Sequence, residues 1–473
     1  MVMGSLREET QVVVIGSGPG GYVAALRLAD LGKDVLIIEK RDRPGGTCLL
    51  EGCIPSKALI HAVEIKEAAL DSEKIGLKFT GMEVDPTRLR AWTDEVVQGL
   101  SDGIKGLLKR RGVTVIEGHA RFTSPTSLSI EGGEVSGVDF EQAVIATGSS
   151  LNRLPDGMVQ SVWSSADALK LPKVPADLLV VGGGYIGLEM GLVYQGLGSQ
   201  VSVVEFSPRL LMGADQDLVD IMVGQVSERL NEIMVDSKVK SIVEAGEGFD
   251  VEIEMDGQVV KKHYEQVLVA IGRRPNTDDI GLDATGVKTD DQGFIITDDF
   301  CRTDQANIYA IGDAAQGPML AHKASREGKV AAESIADGDA AMDNRAIPAV
   351  VFTNPEIAWS GLTEREAEEQ GIPIKTGKFP LSALGRARTL GRTDGLVKII
   401  ADPDTNLILG VGIVGPMASE LIAEGTLAIE MGATLEDLMV TIHPHPTLSE
   451  ALMEAAEVAA GEAIHVNPPR KVR

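Results

Sequence analysis

The chain has 473 residues, 44% of them hydrophobic and 24% charged, enough for roughly three domains of ordinary size. A formal net charge of −26 gives a surface that repels phosphate backbones and excludes nucleic acid as an expected partner. No apolar run reaches the roughly 18 residues of a membrane helix. The opening MVMGSLREETQ lacks the basic start and apolar stretch of a secretory signal, and three cysteines exclude a disulfide-stapled scaffold, so a soluble, cytoplasmic protein with no membrane partner is expected.

The first predicted unit is residues 12–39, VVVIGSGPGGYVAALRLADLGKDVLIIE. A β-branched apolar run ends in a glycine cluster, an amphipathic helical stretch follows, and a second apolar run closes on Glu39. Gly16, Gly18 and Gly21 form G-x-G-x-x-G. In that pattern the first glycine allows the tight turn, the second lets backbone approach a pyrophosphate, and the third permits close helix–strand packing. The pyrophosphate then faces the positive end of the helix, and the closing carboxylate accepts from the ribose hydroxyls.

Next comes GGTCLLEGCIPSKALIHAVEIKEAA, with Cys48 and Cys53 separated by four residues ahead of a helix predicted to begin near Pro55. Cys53 then lies at a helix amino terminus, where partial positive charge favours a thiolate. Two neighbouring thiols in unlike settings make a redox disulfide: one attacks an incoming disulfide and the other resolves the mixed species. Lys57, four residues beyond Cys53, shares its helix face. It is a candidate for holding negative charge on a reduced flavin, though taken alone it reads more often as a surface lysine.

The run QAVIATGSS at 142–150 reads as a strand ending in small residues, with Thr147 and Gly148 as candidate cofactor contacts. Residues 179–205, LVVGGGYIGLEMGLVYQGLGSQVSVVE, then repeat the opening plan with Gly182, Gly184, Gly187 and a closing Glu205. The repeat of strand, helix, strand and acid in one register is a far stronger signal than a single glycine motif. Glu205 opposes an adenosine 2′-phosphate, with only Arg209 nearby to offset it, so NAD is expected over NADP. Two nucleotide sites in one chain suggest a bound flavin and an exchangeable nicotinamide. Glu189, in the helix after the second motif, is a candidate partner for Lys57 across a domain junction.

QVLVAIGRRPN at 266–276 is a second closing strand, ending at Gly272, and NIYAIGDAAQ at 307–316 a third, ending at Asp313. Asp313 reads either as a ligand to the ribityl chain or phosphate of a flavin or as a cap on the next turn. Cys301 stands apart and is expected to be a buried, inert thiol. Seven scattered histidines and the absence of Cys-x-x-Cys leave no expected metal site.

From Ile347 the pattern changes to short strands with polar turns and then helices, an antiparallel sheet backed by helices. The region closes on TIHPHPTLSEALMEAAEVAA, where Thr447 and Glu450 read as a capping box. His445, five residues before Glu450, is close enough for the carboxylate to orient its ring. A proton shuttle for thiol chemistry and a structural proline-rich loop both fit that spacing.

The segments GGTCLLEGCIPSK, GGGYIGLE, AIGRRPN, YAIGDAAQGPMLAHKA, FTNPEIA and HPTLSE together resemble the flavin-dependent pyridine nucleotide–disulfide oxidoreductases, and within them the enzymes that oxidise dihydrolipoamide. The resemblance runs from near Gln11 to near Val466. It implies an α/β fold with two Rossmann-like dinucleotide-binding domains and a carboxyl-terminal α+β dimerisation domain. The boundaries expected are 1–149 with 276–346 for FAD, 150–275 for NAD, and 347–473 for the interface.

The resemblance also implies that Cys48 exchanges with the lipoyl dithiolane, that Cys53 is the thiol beside the flavin, and that Lys57 and Glu189 pair there. His445 corresponds to the base and Glu450 to its orienting carboxylate, both supplied by the other subunit of a homodimer. FAD would be held by Gly16, Gly18, Gly21, Glu39, Asp313 and backbone around Ala321, and NAD by Gly182, Gly184, Gly187, Glu205 and Gly272. The implied partners are a lipoylated carrier protein or domain and the core of a multienzyme complex.

Neighbouring reductases differ in what they carry. Glu205 opposes a glutathione-type, NADP-linked enzyme, and the closing NPPRKVR lacks the extra thiols of mercuric and large thioredoxin reductases. Retention of Cys48, Cys53, His445 and Glu450 together opposes both a soluble transhydrogenase and a non-catalytic flavin-binding subunit. The sequence departs from the family at Pro444, where a non-proline is expected, and in the turn SALGRAR.

Overall fold

The alternating apolar residues of the first strand, Arg7–Ile15, enter two different cores in the computed structural model, which describes residues 6–155, 158–159 and 161–467. Val13 and Ile15 pack with Leu36, Ile38 and Ile145, whereas Val12 and Val14 pack with Val35, Ile37 and Val144. A strand buried on both faces belongs in a parallel sheet covered on both sides. The opening MVMGS and the closing PPRKVR, both used in the sequence reading, lie outside the described residues.

The chain divides into two compact units. The first comprises Met1–Pro155, Trp163–Lys173 and Ile271–Asp343. Its sheet runs Thr114–Glu117, Val35–Glu39, Arg7–Ile15, Gly137–Ile145, with Ile308–Ala310 also parallel to Gly137–Ile145. An antiparallel pair, His119–Ser124 and Ser127–Glu131, extends the edge. The helix Pro19–Asp30 buries Ala24, Ala25 and Leu28 against this sheet and carries Pro19 in its first turn, where the missing N–H costs nothing. The strand expected to reach Asp313 stops at Ala310, and Asp313 lies in a single 3-10 turn, Gly312–Ala314.

The second unit comprises Asp156–Val162, Val174–Ala270 and Asn344–Arg473. It repeats the parallel plan in the order Glu232–Met234, Gln200–Val204, Asp177–Val181, Gln266–Val269, with the helix Tyr185–Leu197 following the glycine turn. A three-stranded antiparallel sheet follows, Lys238–Ala245, Gly248–Met255 and Gln258–Tyr264.

The carboxyl-terminal part is the expected antiparallel sheet, in the order Ala349–Val351, Glu356–Gly361, Ile408–Gly415, Leu396–Ala401, Lys375–Pro380. Helices Ala418–Met431 and Glu450–Ala460 share its core through Ile422, Ile429, Leu452 and Ala455. Lys398 stands in the middle of this sheet with a fully buried side chain. Its Nζ lies 2.6 Å from Asp215 Oδ2, 2.7 Å from Asp217 Oδ1 and 3.0 Å from Glu364 Oε2. The cation of this acidic cluster is therefore the lysine itself, a charge that burial permits only because it is paired on several sides.

Candidate active site

Each glycine motif becomes a strand–turn–helix with the same local geometry. Gly16 and Gly182 turn the chain at φ +103° and +112°. A Cβ on Gly21 would lie 1.9 Å from the Gly16 carbonyl oxygen, and one on Gly187 would lie 2.0 Å from that of Gly182, so side chains at both third positions are sterically excluded. The helices begin after Gly18 and Gly184 with no side chain capping their first amides. Uncapped helix amino termini behind glycine turns fit the pyrophosphate groups of two dinucleotides.

The closing carboxylates do more than the sequence suggested. Glu39 Oε2 accepts from the Ser17 amide at 2.8 Å and its hydroxyl at 2.6 Å, while Oε1 accepts from the Arg41 amide at 3.0 Å. Glu205 Oε2 accepts from the Gly183 amide at 2.6 Å and Oε1 from the Ser207 amide at 2.7 Å. Both carboxylates are thus fixed by the turn they face, and an ionised carboxylate has about four acceptor sites, so capacity remains for ribose hydroxyls.

The thiol pair is docked on the first glycine turn. Cys48 lies in the short helix Gly46–Glu51, and Cys53 is the first residue of the helix Cys53–Asp71, two residues earlier than the Pro55 start expected. The Gly45 amide donates to the Ser17 carbonyl at 3.0 Å, and a Cβ on Gly46 would come within 2.5 Å of Gly18 Cα. Cys48 is half-buried and Cys53 exposed. Hydrogen bonding with Cys53 and burial push the Cys48 thiol well up, against the opposing pull of the Lys57 ammonium. Cys301 is buried with Sγ 3.7 Å from the Glu327 carbonyl, and burial raises its thiol, in keeping with an inert residue.

Thr147, Gly148 and Asp313 are brought together in the same unit by residues the sequence reading missed. Thr147 Oγ1 donates to the Asn276 carbonyl at 2.7 Å, Asn276 Nδ2 donates to the Thr147 carbonyl at 3.0 Å, and the Asn276 amide donates to the Gly148 carbonyl at 2.9 Å. Ser149 Oγ donates to Asp313 Oδ2 at 2.5 Å and accepts from Arg273 Nε at 2.7 Å. The signal was present in the polar residues flanking each strand end, but nothing local says which end meets which. Gly272 accepts the Asn152 amide at 3.0 Å within this same unit, and Ala321 opens the helix Ala321–Ile335.

Glu189, His445 and Glu450 belong to the second unit. Glu189 is 3% exposed, and its Oε1 accepts the Phe352 amide at 3.0 Å. His445 Nδ1 lies 2.8 Å from Glu450 Oε1, and Glu450 Oε2 accepts the Thr447 amide at 2.8 Å. Pro444 leaves this contact intact. Burial raises the Glu450 carboxyl, but the Thr447 amide and His445 outweigh it and hold the group below its ordinary value. A carboxylate on Nδ1 fixes the proton there and leaves Nε2 as the basic nitrogen, on a side chain that is 78% exposed.

The capping box forms only in part. The last helix begins at Glu450 itself after Ser449, and Thr447 Oγ1 donates to the Pro444 carbonyl at 2.7 Å while accepting from no helix amide. Glu450 is thus positioned for His445 more than for capping.

Residues 10–328 match the pyridine nucleotide-disulphide oxidoreductase family and residues 347–456 its dimerisation domain. The dihydrolipoyl dehydrogenase of Geobacillus stearothermophilus is 44% identical over 468 residues, covering 98% of this chain and 99% of that protein. That of Haloferax volcanii is 46% identical over 473 residues, with the same coverage of 98% and 99%. Among solved structures, the HOCl-induced flavoprotein disulfide reductase RclA from Escherichia coli superposes with a TM-score of 0.83 at 27% identity, covering 93% of this chain and 98% of that one. The chain belongs to the pyridine nucleotide-disulphide oxidoreductase family.

Proposed function

We propose that this chain oxidises protein-bound dihydrolipoamide to lipoamide and reduces NAD to NADH, as a homodimer in the cytoplasm. The observation that carries the reading is the Cys48–Cys53 pair seated on the first glycine turn, in a chain that also holds a second dinucleotide fold and a histidine base. The residues fit both cofactors: uncapped helix termini for two pyrophosphates, and carboxylates at the ends of the second strands. Gly16, Gly18, Gly21, Glu39, Asp313 and Ala321 would hold FAD; Gly182, Gly184, Gly187, Glu205 and Gly272 would hold NAD; and Lys57 and Glu189 would both serve the flavin. The proposed domains are 1–149 with 276–346 for FAD, 150–275 for NAD and 347–473 for the interface.

The chain's own residues carry the thiol chemistry. His445 Nε2 takes the proton of one lipoyl thiol, and the resulting thiolate attacks Cys48 Sγ of the oxidised pair. The Cys48–Cys53 bond breaks, and Cys53 leaves with the electron pair as a thiolate at its helix terminus. The second lipoyl sulfur then attacks the first and closes the dithiolane. Cys48 departs carrying the second thiol's proton, which suits the upward push on that group. Bound FAD and NAD supply the two-electron acceptor chemistry that reoxidises the pair.

The homodimer is supported by the match to a dimerisation domain and by exposed apolar side chains there, Leu427, Met431, Val440 and Ile442, the last 96% exposed. His445 and Glu450 serve the partner subunit's thiol pair. A lipoylated carrier domain, within a multienzyme complex, delivers the substrate. Among the described residues no helix is long and apolar enough to cross a membrane. The reading is tested by offering the purified flavoprotein NADH with either lipoamide or oxidised glutathione. Turnover of lipoamide alone supports it, and preference for glutathione overturns it.

A further inference from the structure

The catalytic histidine has a neighbour in an unusual setting. His443 is held with its ring 4% exposed, and Nε2 lies 2.6 Å from Glu424 Oε1 of the helix Ala418–Met431. On the other edge, Nδ1 lies 2.9 Å from the Thr441 carbonyl oxygen. A carbonyl accepts only, so Nδ1 carries a proton. With Nδ1–H fixed, Nε2 faces the carboxylate either as N–H⁺ donating to Glu424 or as a lone pair receiving a proton from it. In both descriptions one proton lies between His443 Nε2 and the Glu424 carboxylate across the 2.6 Å contact.

The pair also spans the right stretch of backbone. Thr441 begins the loop, His443 is pinned to the neighbouring helix, and the Glu450 contacts with Thr447 and His445 close it two residues later. His445 is thereby fixed from both sides, with only its Nε2 edge left for substrate. The charge of His443 moreover helps hold the Glu450 carboxyl low, so the pair bears on the base electrically as well as mechanically.

We propose that His443 and Glu424 are positioning residues for the thiol base: their shared proton locks the Thr441–Thr447 loop and sets the basicity of His445. The proposal rests on the reading of His445 given above. The groups that act on His443 in it are Glu424 from the preceding helix, the Thr441 carbonyl from its own loop and Glu450 from the closing helix. Replacement by glutamine leaves Glu424 unneutralised. The added negative field stabilises the His445 imidazolium, so the base becomes harder to free as pH rises.

The test is the pH profile of kcat/KM for dihydrolipoamide oxidation by the FAD-loaded dimer, wild type against H443Q and E424Q, with NADH-driven dye reduction measured in parallel. The expected result is a fall of about tenfold or more in H443Q, in line with the cost of small misplacements. Its acid limb should move to higher pH, with dye reduction unchanged. A wild-type profile in H443Q overturns the proposal. So does a lowered profile whose acid limb has not moved, which would reduce His443 to packing.

If H443Q fails to hold FAD or to dimerise, E424Q carries the test, since it keeps the ring and nearly the same volume. Lowered dihydrolipoamide oxidation with intact dye reduction supports the proposal, and unchanged oxidation overturns it. Wild-type enzyme that reduces dye but never oxidises dihydrolipoamide would instead remove the functional reading itself, a result distinguishable from all of these.

Discussion

His445 presents Nδ1 to Glu450 Oε1 at 2.8 Å, while the other Glu450 oxygen is occupied by the Thr447 amide at 2.8 Å. The carboxylate is therefore fixed by backbone before it acts on the ring, and the ring is left with one free basic edge. Proton transfer by a positioned base contributes about 10²–10⁴-fold. His445→Ala is expected to lower dihydrolipoamide oxidation by a factor in that range while sparing NADH-to-dye turnover. Stopped-flow comparison of the two reactions checks this, and equal loss in both would remove His445 from the base role.

The thiol pair gives a second expectation. Cys48→Ser removes the sulfur that substrate attacks, and Cys53→Ser removes its leaving group, so each variant should lose dihydrolipoamide turnover to the detection limit. Both should keep FAD, because the Gly45–Ser17 contact that seats the segment is made by backbone. Absorbance of bound flavin and the steady-state rate, measured on the same samples, separate the two effects.

Glu205 provides the cofactor test. With its oxygens fixed by Gly183 and Ser207, the carboxylate stands where a 2′-phosphate would meet like charge, a juxtaposition that costs several kcal/mol. The wild type should prefer NAD. Glu205→Ala should raise the NADP/NAD ratio of kcat/KM by about tenfold or more, partly through weaker NAD use. An unchanged ratio would show that selectivity is set elsewhere.

The Lys398 cluster yields a stability prediction. Removing the lysine leaves Asp215 without the Lys398 ammonium and Asp217 and Glu364 with Lys378, and breaking a buried pair in this way costs about 3–5 kcal/mol. Lys398→Met should lower the denaturation midpoint accordingly, monitored by loss of flavin and of secondary structure. Burial raises the Asp217 carboxyl, but Lys378 and Lys398 outweigh it, so its folded value lies below the ordinary 3.8. Its contribution is then complete above the unfolded value and is lost as pH falls through the folded one. Wild type should lose stability over that acid window, and Lys398→Met should lose less of it there.

Much of this was written in local sequence. The two glycine turns and the closing glutamates are each set by residues within one strand–turn–helix–strand, so spacing marked them. Spacing likewise marked His445 and Glu450, five residues apart. The two cysteines lie close in sequence, but their seat on the first glycine turn is a contact with Ser17 and Gly18. What stayed hidden depends on meetings between distant segments. Lys398 lies within the apolar run LVKIIA and looks like a solvent-facing strand residue. Its three acidic partners come from segments around residues 215 and 364.

His443 and Glu424 are nineteen positions apart, on a loop and a helix, with no periodicity linking them. Thr447 shows the opposite failure. The T-x-x-E pattern suggested a full capping box, yet the threonine hydroxyl is taken by the Pro444 carbonyl and the helix starts later. Proline-fixed backbone upstream offered an acceptor that the helix-end pattern ignores.

The most direct measurement is steady-state NADH formation by the purified yellow protein from dihydrolipoamide, with NAD or NADP as acceptor. The account predicts rapid turnover with NAD and little with NADP, abolished by Cys48→Ser. Absence of turnover in a protein that holds FAD and keeps both cysteines intact would contradict it.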